Sequence, residues 1–411
     1  MLNDKLICNI INQFETPAYI YDLNIIDKKI DEIKNVITNV NNLYYSVKAN
    51  PNIDILKHLK KHKLGVEVSS LGEIKLVQDL GYDMKDIIFS GPGKSENVLK
   101  YIIDLNIRCI NVESIEEIKR IQKINDQKSI KTNIALRINP DKNTAKTGMK
   151  MTGISSQFGI DWCNIWEVIR FCLTCKNINL VGIQLYKGTQ LLNANDILNN
   201  IKQAIYYVKE IKETFNIEYI DFGGGFGIDY FSNETPLDIE VLREGLKEII
   251  RDNSTLFNEV YSIFESGRFL VADAGIYVTK IIEKKESQNN VFLICDGGSN
   301  HHANSAFLGR IARGNFPIKA ITKKQRNIDE NELVTITGPL CSPTDVIGKN
   351  ISLKKCDADD LIVIEKSGAY GLTNSPLFFI LHPLSKEIII KNNEAIISQS
   401  MKQIFNLLIG E

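Results

Sequence analysis

Short runs of apolar and β-branched residues alternate with stretches of helical periodicity over the first two thirds of the chain. Most runs are followed by an amphipathic segment, such as Leu71–Leu80 or Ile115–Ile124, which predicts a helix. Consecutive β/α units of this kind predict a (β/α)8 TIM barrel. The eight predicted strands lie near Leu43–Val47, Val66–Val68, Ile87–Ser90, Cys109–Val112, Ile134–Ile138, Leu180–Leu185, Tyr219–Phe222 and Ile263–Glu265.

After about Ala274 the pattern changes to strands separated by turns, which predicts an antiparallel β domain. We expect an N-terminal strand, Pro17–Tyr21, to join this domain before the Ile25–Val36 helix leads into the barrel. The predicted domains are therefore residues 1–24, the joining strand, 25–274, the barrel, and 275–411, the β domain. The predicted strands of the β domain are Tyr277–Ile282, Val291–Cys295, Leu333–Thr337, Leu361–Glu365, Leu377–Leu381 and Glu387–Ile390.

Charge and hydropathy narrow the classes of partner. Lys and Arg total 49 against 50 Asp and Glu, so the net charge of −1 gives no overall basic field for nucleic acid or an anionic membrane. The N-terminus lacks a secretory pattern, and no apolar stretch reaches membrane-spanning length. These features predict a cytoplasmic enzyme with small-molecule or protein partners.

Neither the cysteines nor the histidines predict a metal site. The 8 cysteines are scattered through apolar segments, which is typical of reduced thiols, and the Cys172–Cys175 pair has no second pair to complete a zinc site. His301 and His302 are adjacent, so their side chains should diverge, and packing or interface hydrogen bonding is expected for both.

Polar residues collect at the predicted carboxyl ends of the barrel strands, where the active sites of such barrels lie. Lys48 follows the first strand, just before the turn at Asn50-Pro51. Its amine could form a Schiff base with an aldehyde, although a solvated surface lysine is the alternative for any single lysine. The residues at the eight strand ends are Lys48, Ser69, Ser90, Glu113, Arg137, Tyr186, Gly223 and Glu265.

Two further segments complement Lys48. Three consecutive glycines in Asp221–Gly227 follow the seventh strand, where exposed backbone N–H groups can approach a phosphate; a simple tight turn is the alternative. Glu265 closes the eighth strand, and its carboxylate could pair with a protonated ring nitrogen, with Arg268 near an anionic group. A surface Glu–Arg ion pair is the alternative here. Together these groups match the aldehyde, phosphate and ring nitrogen of pyridoxal phosphate.

The order of these motifs resembles the fold-type III pyridoxal-phosphate decarboxylases, which include diaminopimelate and ornithine decarboxylases and share their barrel with alanine racemase. The resemblance covers nearly the whole chain and implies a homodimer with shared active sites. The matching motifs are Tyr45–Asn50, Ser90–Lys94, Asp221–Gly227, Glu265–Arg268, Gly338–Cys341 and Gly368–Gly371.

The resemblance also implies roles for individual residues. Lys48 would hold the cofactor, Glu265 would pair with its ring nitrogen, and Cys341 would reach the site from the partner subunit as a catalytic proton donor. The substrate would contact Arg268, Ser342, Asp345 and Tyr370. The cofactor-binding set would comprise Lys48, Glu67, Arg137, Tyr186, Thr189, Gly223, Gly224, Gly225, Glu265, Gly267, Arg268 and Tyr370.

Two departures from the family pattern bear on the substrate. Tyr186 stands where diaminopimelate decarboxylases carry a histidine that stacks on the cofactor ring, and an aromatic face is retained. Ser342 stands where relatives place an acid that binds the distal ammonium of a diamino acid. A buried ammonium without a counterion would cost several kcal/mol, so a neutral distal group is favoured.

Five segments resemble the L-glutamyl-[acyl-carrier-protein] decarboxylases. The expected reaction is therefore α-decarboxylation of a carrier-bound γ-glutamyl thioester, which gives a 4-aminobutyryl thioester. The segments are Arg137–Lys142, Gln157–Gly159, Tyr186–Gln190, Asp296–Gly298 with His301 and His302, and Gly338–Asp345.

Other readings remain open. The nearest alternative is decarboxylation of a free amino acid (diaminopimelate, ornithine or lysine), followed by a non-catalytic binding protein with the same fold. A racemase is disfavoured by the Gly338–Cys341 motif. The Asp141–Met151 loop, with Lys142, Lys146 and Lys150, is a predicted docking site for an acidic carrier protein, and a solvated charged loop is its alternative.

Overall fold

The chain forms two compact units in a computed structural model that describes residues 2–38, 40, 42–140, 149–150, 155–312, 314–322 and 330–410. Residues 31–228, 236–267 and 404–411 form the barrel unit, and residues 1–30, 229–235 and 268–403 form the β unit. The domain boundaries expected at residues 24 and 274 stay predictions. Lys142 and Lys146 of the predicted carrier-docking loop lie outside the described residues.

The barrel is a closed sheet of eight parallel strands, each paired with its neighbour and the last paired with the first. All eight predicted strands are confirmed, with small shifts at their ends. Because helices cover parallel strands, both faces are buried and each strand is an apolar run instead of an alternating one. The strands are Asn42–Ser46, Gly65–Val68, Ile87–Phe89, Cys109–Val112, Thr132–Asn139, Ile178–Gln184, Tyr219–Asp221 and Tyr261–Ser266.

The helices between the strands begin at residues whose side chains accept backbone N–H groups of the first turn. Ser70, Ser95, Ser114 and Asp238 are such caps, each about three residues before the N–H that it satisfies. The helices are Leu23–Val36, Ile53–Lys61, Leu71–Asp79, Glu96–Asp104, Ile115–Lys128, Ile165–Thr174, Ala194–Lys212, Ile239–Asp252 and Ser254–Glu259. Single 3₁₀ turns occur at Val47–Ala49, Met84–Asp86 and Trp162–Asn164, and short strands at Met149–Lys150, Ile160–Asp161 and Gly188–Thr189.

The β unit is built on one mixed sheet rather than on a purely antiparallel one. The predicted N-terminal strand is present as Ala18–Asp22, and it pairs antiparallel with Gly275–Ser287 and parallel with Lys386–Lys391. Asn290–Cys295 also pairs parallel with Asn331–Thr337. The remaining strands are Ile318–Ile321, Val346–Lys354, Leu361–Ile364 and Glu394–Ile397, and the helices are Asp4–Phe14, Arg268–Val271 and Ala303–Ala312. The last helix, Ser400–Ile409, begins in the β unit and ends in the barrel unit.

One predicted strand of the β unit is wrong. The segment Leu377–Leu381 contains a 3₁₀ turn, Phe379–Leu381, in which Ile380 and Leu381 have φ of 50° and 57°. Positive φ cannot continue a strand, and the turn leaves these apolar side chains exposed. The strand was predicted from the run of apolar residues. Periodicity alone does not distinguish a short apolar strand from an apolar turn.

His301 and His302 are packed into the β unit. His301 Nε2 lies 2.9 Å from the carbonyl oxygen of Pro383, and the ring of His302 stacks against Tyr19 and Tyr277. Burial lowers the pKa of His302 to about 4, so its imidazole is neutral near pH 7. Among the described residues, no helix is long and apolar enough to cross a membrane.

Close backbone contact between the sixth and seventh barrel strands gives a test of the fold. A Cβ at Gly182 would lie 1.8 Å from the carbonyl oxygen of Tyr219. We expect Gly182→Ala to destabilise the barrel by about 3 kcal/mol or more, because the clash is with backbone that cannot move aside. Urea unfolding followed by circular dichroism measures the loss.

Gly93→Ala is the matched control, since a Cβ at Gly93 meets nothing within 4 Å. Equal unfolding midpoints for the Gly182 and Gly93 variants would contradict this strand packing.

Candidate active site

Lys48 lies in the 3₁₀ turn that directly follows the first barrel strand. Its Nζ donates to both carboxylate oxygens of Glu67, at 2.8 and 2.7 Å, and Glu67 comes from the second strand. The Lys48 side chain is 45% exposed and the Glu67 side chain 1% exposed, so a buried carboxylate holds the amine of a partly exposed side chain. The first two strands thus present one lysine amine with a fixed orientation.

Glu67 is held as a carboxylate despite its burial. Burial raises its pKa, but the charge of Lys48 and hydrogen bonds from Lys48, Ser46 and Ser69 more than offset this effect, and the net pKa is lowered. Nearby, Glu73 accepts the backbone N–H of Ser69 at 2.7 Å, and burial raises the pKa of Glu73 to about 7.

The glycine loop after the seventh strand is in close contact with neighbouring backbone. Gly223 and Gly225 have φ of 64° and 96°, which favour glycine. A Cβ at Gly224 would lie 2.1 Å from the carbonyl oxygen of Glu265, and one at Gly225 would lie 2.4 Å from that of Gly188. Side chains are therefore excluded from the loop, as an anion cradle made of backbone N–H groups requires.

A second loop, which carries Thr189 and Gln190, fixes the glycine loop. Leu191 N donates to the Gly225 carbonyl at 2.8 Å, and Gly227 N donates to the Leu191 carbonyl at 3.0 Å. The side-chain amide of Gln190 bonds both backbone polar groups of Ile228. Thr189 therefore lies on the segment that holds the glycine loop in place.

Glu265, on the eighth strand, is part of a buried polar network inside the barrel. Gln184 Nε2 donates to Glu265 Oε1 at 2.6 Å and to Asp221 Oδ2 at 3.0 Å. Burial, together with the charges of Asp221 and Glu67, raises the pKa of Glu265 well above its usual value. Burial also raises the pKa of Asp221, to about 6, so of the two acids Glu265 holds a proton more strongly.

Arg137, at the end of the fifth strand, is held by a buried ion pair. Its Nη1 donates to Glu113 Oε1 at 3.0 Å, and the other oxygen of Glu113 accepts Gly159 N–H at 2.9 Å. The guanidinium lies 4.8 Å from the ring centre of Phe158 and 5.8 Å from that of Tyr186. The structure thus brings Arg137 and Tyr186 together, as expected of two residues near one cofactor ring.

Arg268 and Tyr370 meet within the β unit. The guanidinium of Arg268 lies 4.6 Å from the ring centre of Tyr370, and Arg268 Nη1 donates to the Tyr230 hydroxyl at 3.1 Å. Tyr370 has a positive φ of 53°, and its carbonyl oxygen accepts Asn304 Nδ2 at 2.8 Å. Gly267, the residue before Arg268, has no room for a side chain, since a Cβ there would lie 2.9 Å from Ala49 Cβ.

Cys341, Ser342 and Asp345 share one turn of the β unit. Cys341 is exposed, and Ser342 Oγ lies 2.7 Å from Thr344 Oγ1. The buried carboxylate of Asp345 accepts Ser299 N–H at 2.7 Å through Oδ1 and Leu340 N–H at 2.8 Å through Oδ2. This geometry favours a structural role for Asp345, in which its carboxylate holds the turn together. It does not favour the substrate contact that was predicted for this residue.

Three participants were missed as site residues. Gln184 and Asn111 are single polar residues in apolar strands, and Asp221 was noted only as the start of the glycine motif, whereas Ser90 was expected at the end of the third strand. Asn111 Nδ2 donates to Ser90 Oγ at 2.9 Å and extends the network. A polar residue at an inward position of a buried strand was the available signal, since such groups must find partners inside the barrel.

The barrel unit offers the complementary groups that pyridoxal phosphate needs. An amine stands beside a carboxylate, a backbone cradle excludes side chains, and a buried carboxyl with raised pKa faces the barrel interior at the eighth strand. These observations define a pyridoxal-phosphate-binding barrel of the decarboxylase type, and comparison with known proteins identifies the family.

Residues 23–272 match the family model for the pyridoxal-binding domain of pyridoxal-dependent decarboxylases. The chain is 38% identical over 395 residues to the L-glutamyl-[BtrI acyl-carrier protein] decarboxylase of Niallia circulans, covering 95% of this chain and 92% of that protein. It is 28% identical to the diaminopimelate decarboxylase of Vibrio cholerae, with 98% and 94% covered.

Solved structures agree with this likeness. The diaminopimelate decarboxylase from M. jannaschii in complex with L-lysine superposes with a TM-score of 0.85 at 26% identity, covering 95% of this chain and 90% of that one. The enzyme from Helicobacter pylori, also with L-lysine, gives 0.82 at 26% identity, with 96% and 97% covered. The chain belongs to the pyridoxal-dependent decarboxylases: it is a carboxy-lyase, its cofactor is pyridoxal 5'-phosphate, and the predicted fold class is confirmed.

The buried Arg137–Glu113 pair gives a test of the site. We expect Glu113→Gln to lower the free energy of unfolding by about 3 kcal/mol, because it leaves a buried guanidinium without its counterion. Glu116→Gln is the control, since Glu116 pairs with Lys119 on the exposed face of the helix that follows, and such pairs contribute about 0–1 kcal/mol. Urea unfolding measures the free energy of unfolding of both variants. Equal losses in the two variants would contradict the buried ion pair.

Proposed function

We propose that this protein removes the α-carboxylate of a glutamyl group held as a γ-thioester on an acyl carrier protein, which gives a 4-aminobutyryl thioester. One observation carries the proposal: the turn Gly338–Asp345 contains a single acid, Asp345, and backbone N–H groups occupy both of its oxygens. The 38% identical relative that acts on a carrier-bound glutamyl group supports the same substrate class.

The chemistry of this turn suits a neutral distal group. A diamino acid would bring a second ammonium, and Ser342 offers it a hydroxyl, which is already bonded to Thr344, instead of a negative charge. Burying an ammonium without a counterion costs several kcal/mol, whereas a thioester carries no charge. The serine therefore favours the carrier-bound substrate over a free diamino acid.

The residues of the barrel would divide the work of holding the cofactor. Lys48 would bind it covalently through its amine, with Glu67 orienting that amine and exchanging protons with it. Gly224, Gly225 and Thr189 would bind the phosphate, with Gly223, whose N–H donates to Asp221, shaping the loop, and Tyr186, Arg137 and Gly267 would flank the ring. When bound, pyridoxal phosphate supplies an electron sink for the negative charge that carbon dioxide leaves behind.

The residues of the β unit would act on the substrate. Arg268 and Tyr370 would lie on the side of the site that binds the substrate carboxylate and the cofactor phosphate. Cys341 Sγ would donate a proton to the substrate Cα after carbon dioxide departs. We propose that Cys341 enters from the partner subunit of a homodimer, as it does in the family this chain resembles. The homodimer, the cytoplasmic location and the carrier-docking lysine loop stay predictions.

Decarboxylation of a free amino acid is the second candidate, because the 28% identical relative is a diaminopimelate decarboxylase. Carbon dioxide release from the purified, pyridoxal-phosphate-loaded protein separates the two. Glutamyl carrier protein is compared with free diaminopimelate, ornithine, lysine and glutamate. Release from the carrier-bound substrate alone is expected, whereas release from a free diamino acid would overturn the argument from Ser342.

Replacing the cofactor lysine should abolish turnover. We expect Lys48→Ala to reduce carbon dioxide release to background, because no other group can bind the cofactor covalently from that position. Lys100→Ala is the control, since Lys100 is a surface residue paired with Glu96 on an outer helix. Retained turnover in Lys48→Ala would exclude the assigned role.

Placing an acid in the Gly338–Asp345 turn should shift the substrate preference. We expect Ser342→Asp to lower kcat/KM for the glutamyl carrier at least about tenfold, since a desolvated carboxylate would then face a neutral thioester, and to raise it for diamino acids. Ser342→Ala, which stays neutral, should retain the carrier preference. An unchanged substrate preference in Ser342→Asp would show that position 342 does not discriminate between a distal thioester and a distal ammonium.

A further inference from the structure

Asp221 connects the glycine loop to the carboxyl of Glu265. Its Oδ1 accepts Gly223 N–H at 2.8 Å, and its Oδ2 accepts Gln184 Nε2 at 3.0 Å. The same Gln184 nitrogen reaches Glu265 Oε1 at 2.6 Å, so one amide bridges the two acids. All three side chains are buried, and they come from the ends of three adjacent barrel strands.

Two carboxyl groups that share one buried amide cannot both ionise cheaply. Like charges held close together in a buried region favour retention of one proton by the pair. Gln184 donates to both acids through one nitrogen, and its own Oε1 has no protein partner among the described residues. The bridge therefore satisfies two acceptors while leaving the charge repulsion between the acids in place.

We propose that Asp221 is a positioning residue that acts on Glu265 directly as well as across the shared Gln184 amide: its negative charge favours a proton on a ring nitrogen bound against Glu265. A ring nitrogen that takes the proton of Glu265 faces one carboxylate charge, and it stays protonated only if the local potential is negative enough. Asp221 supplies a second charge without contacting the cofactor.

The remaining charged groups do not cancel this effect. Glu67 adds negative charge towards Glu265, and Lys48 opposes it with a positive charge from the first strand. These two groups form their own ion pair, so their effects on Glu265 largely offset one another. Cys109 and Tyr219, which also face Asp221, have raised pKa values because of burial and stay neutral.

The inference rests on the cofactor and on its proposed contact with Glu265, not on which substrate is decarboxylated. The test therefore uses no substrate. Protein reconstituted with pyridoxal phosphate that is ¹⁵N-labelled in the ring is titrated from mildly acidic to alkaline pH. The ¹⁵N chemical shift reports whether the ring nitrogen is protonated, which a purely structural role of Asp221 would not change.

The key variant is Asp221→Asn, because the amide keeps an oxygen for Gly223 N–H and removes the charge. We expect its ring nitrogen to lose the proton at lower pH than in the wild type, with a proton affinity about tenfold lower or more. Gln184→Met removes the bridge and retains both acids, so it should shift the titration in the opposite direction, to higher pH, because both carboxylates lose a donor that stabilises their charge. It also provides the test if Asp221→Asn does not fold.

Two further variants make the result decisive. Ser90→Ala removes a neutral member of the same network, whose Oγ accepts Asn111 Nδ2 at 2.9 Å, and should leave the titration at the wild-type position. Glu265→Gln should lower the proton affinity most; if it has no effect, the Glu265 contact itself is wrong. A wild-type titration in both Asp221→Asn and Gln184→Met, with Glu265→Gln shifted, would overturn the role of Asp221 alone.

Discussion

The burial of carboxyl groups inside a closed parallel barrel is the constraint on which the rest of the site depends. An isolated buried carboxylate is costly, so each one must be paired, hydrogen-bonded or protonated. Glu67 meets this requirement with Lys48, Glu113 meets it with Arg137, and Glu265 meets it by holding a proton. Three different solutions within one barrel give three chemically distinct groups: an oriented amine, a fixed guanidinium and a proton-holding acid.

Backbone packing provides the second part of the site. The glycine loop adjoins the carbonyl oxygens of Glu265 and Gly188, and Asp221 accepts its first N–H group. The loop that would bind the phosphate and the acid that would pair with the ring nitrogen are therefore parts of one rigid assembly at the ends of the sixth to eighth strands. Such preorganisation would allow the barrel to fix the orientation of the cofactor.

Much of this could be predicted from the sequence. The eight strands were recognisable because buried parallel strands are short apolar runs, and Lys48, Glu265 and the glycine loop because they occupy strand ends within motifs. The bridge between Asp221 and Glu265 was not predicted, because it depends on which side chains meet across strands that are far apart in sequence. Leu377–Leu381 was mistaken for a strand because positive φ at Ile380 and Leu381 leaves no signal in residues of that type. The strand Val346–Lys354 was missed because Gly348 and Asn350 interrupt its apolar pattern.

The central claim is that the amine beside Glu67 holds the cofactor, and chemical trapping tests it most directly. Pyridoxal-phosphate-loaded protein is reduced with borohydride, digested and analysed by mass spectrometry to locate the pyridoxyl group. The account predicts that the group is on Lys48, the lysine at the end of the first barrel strand. A pyridoxyl group found instead on Lys94 or Lys187, two lysines that are buried in the described part of the barrel unit, would contradict it.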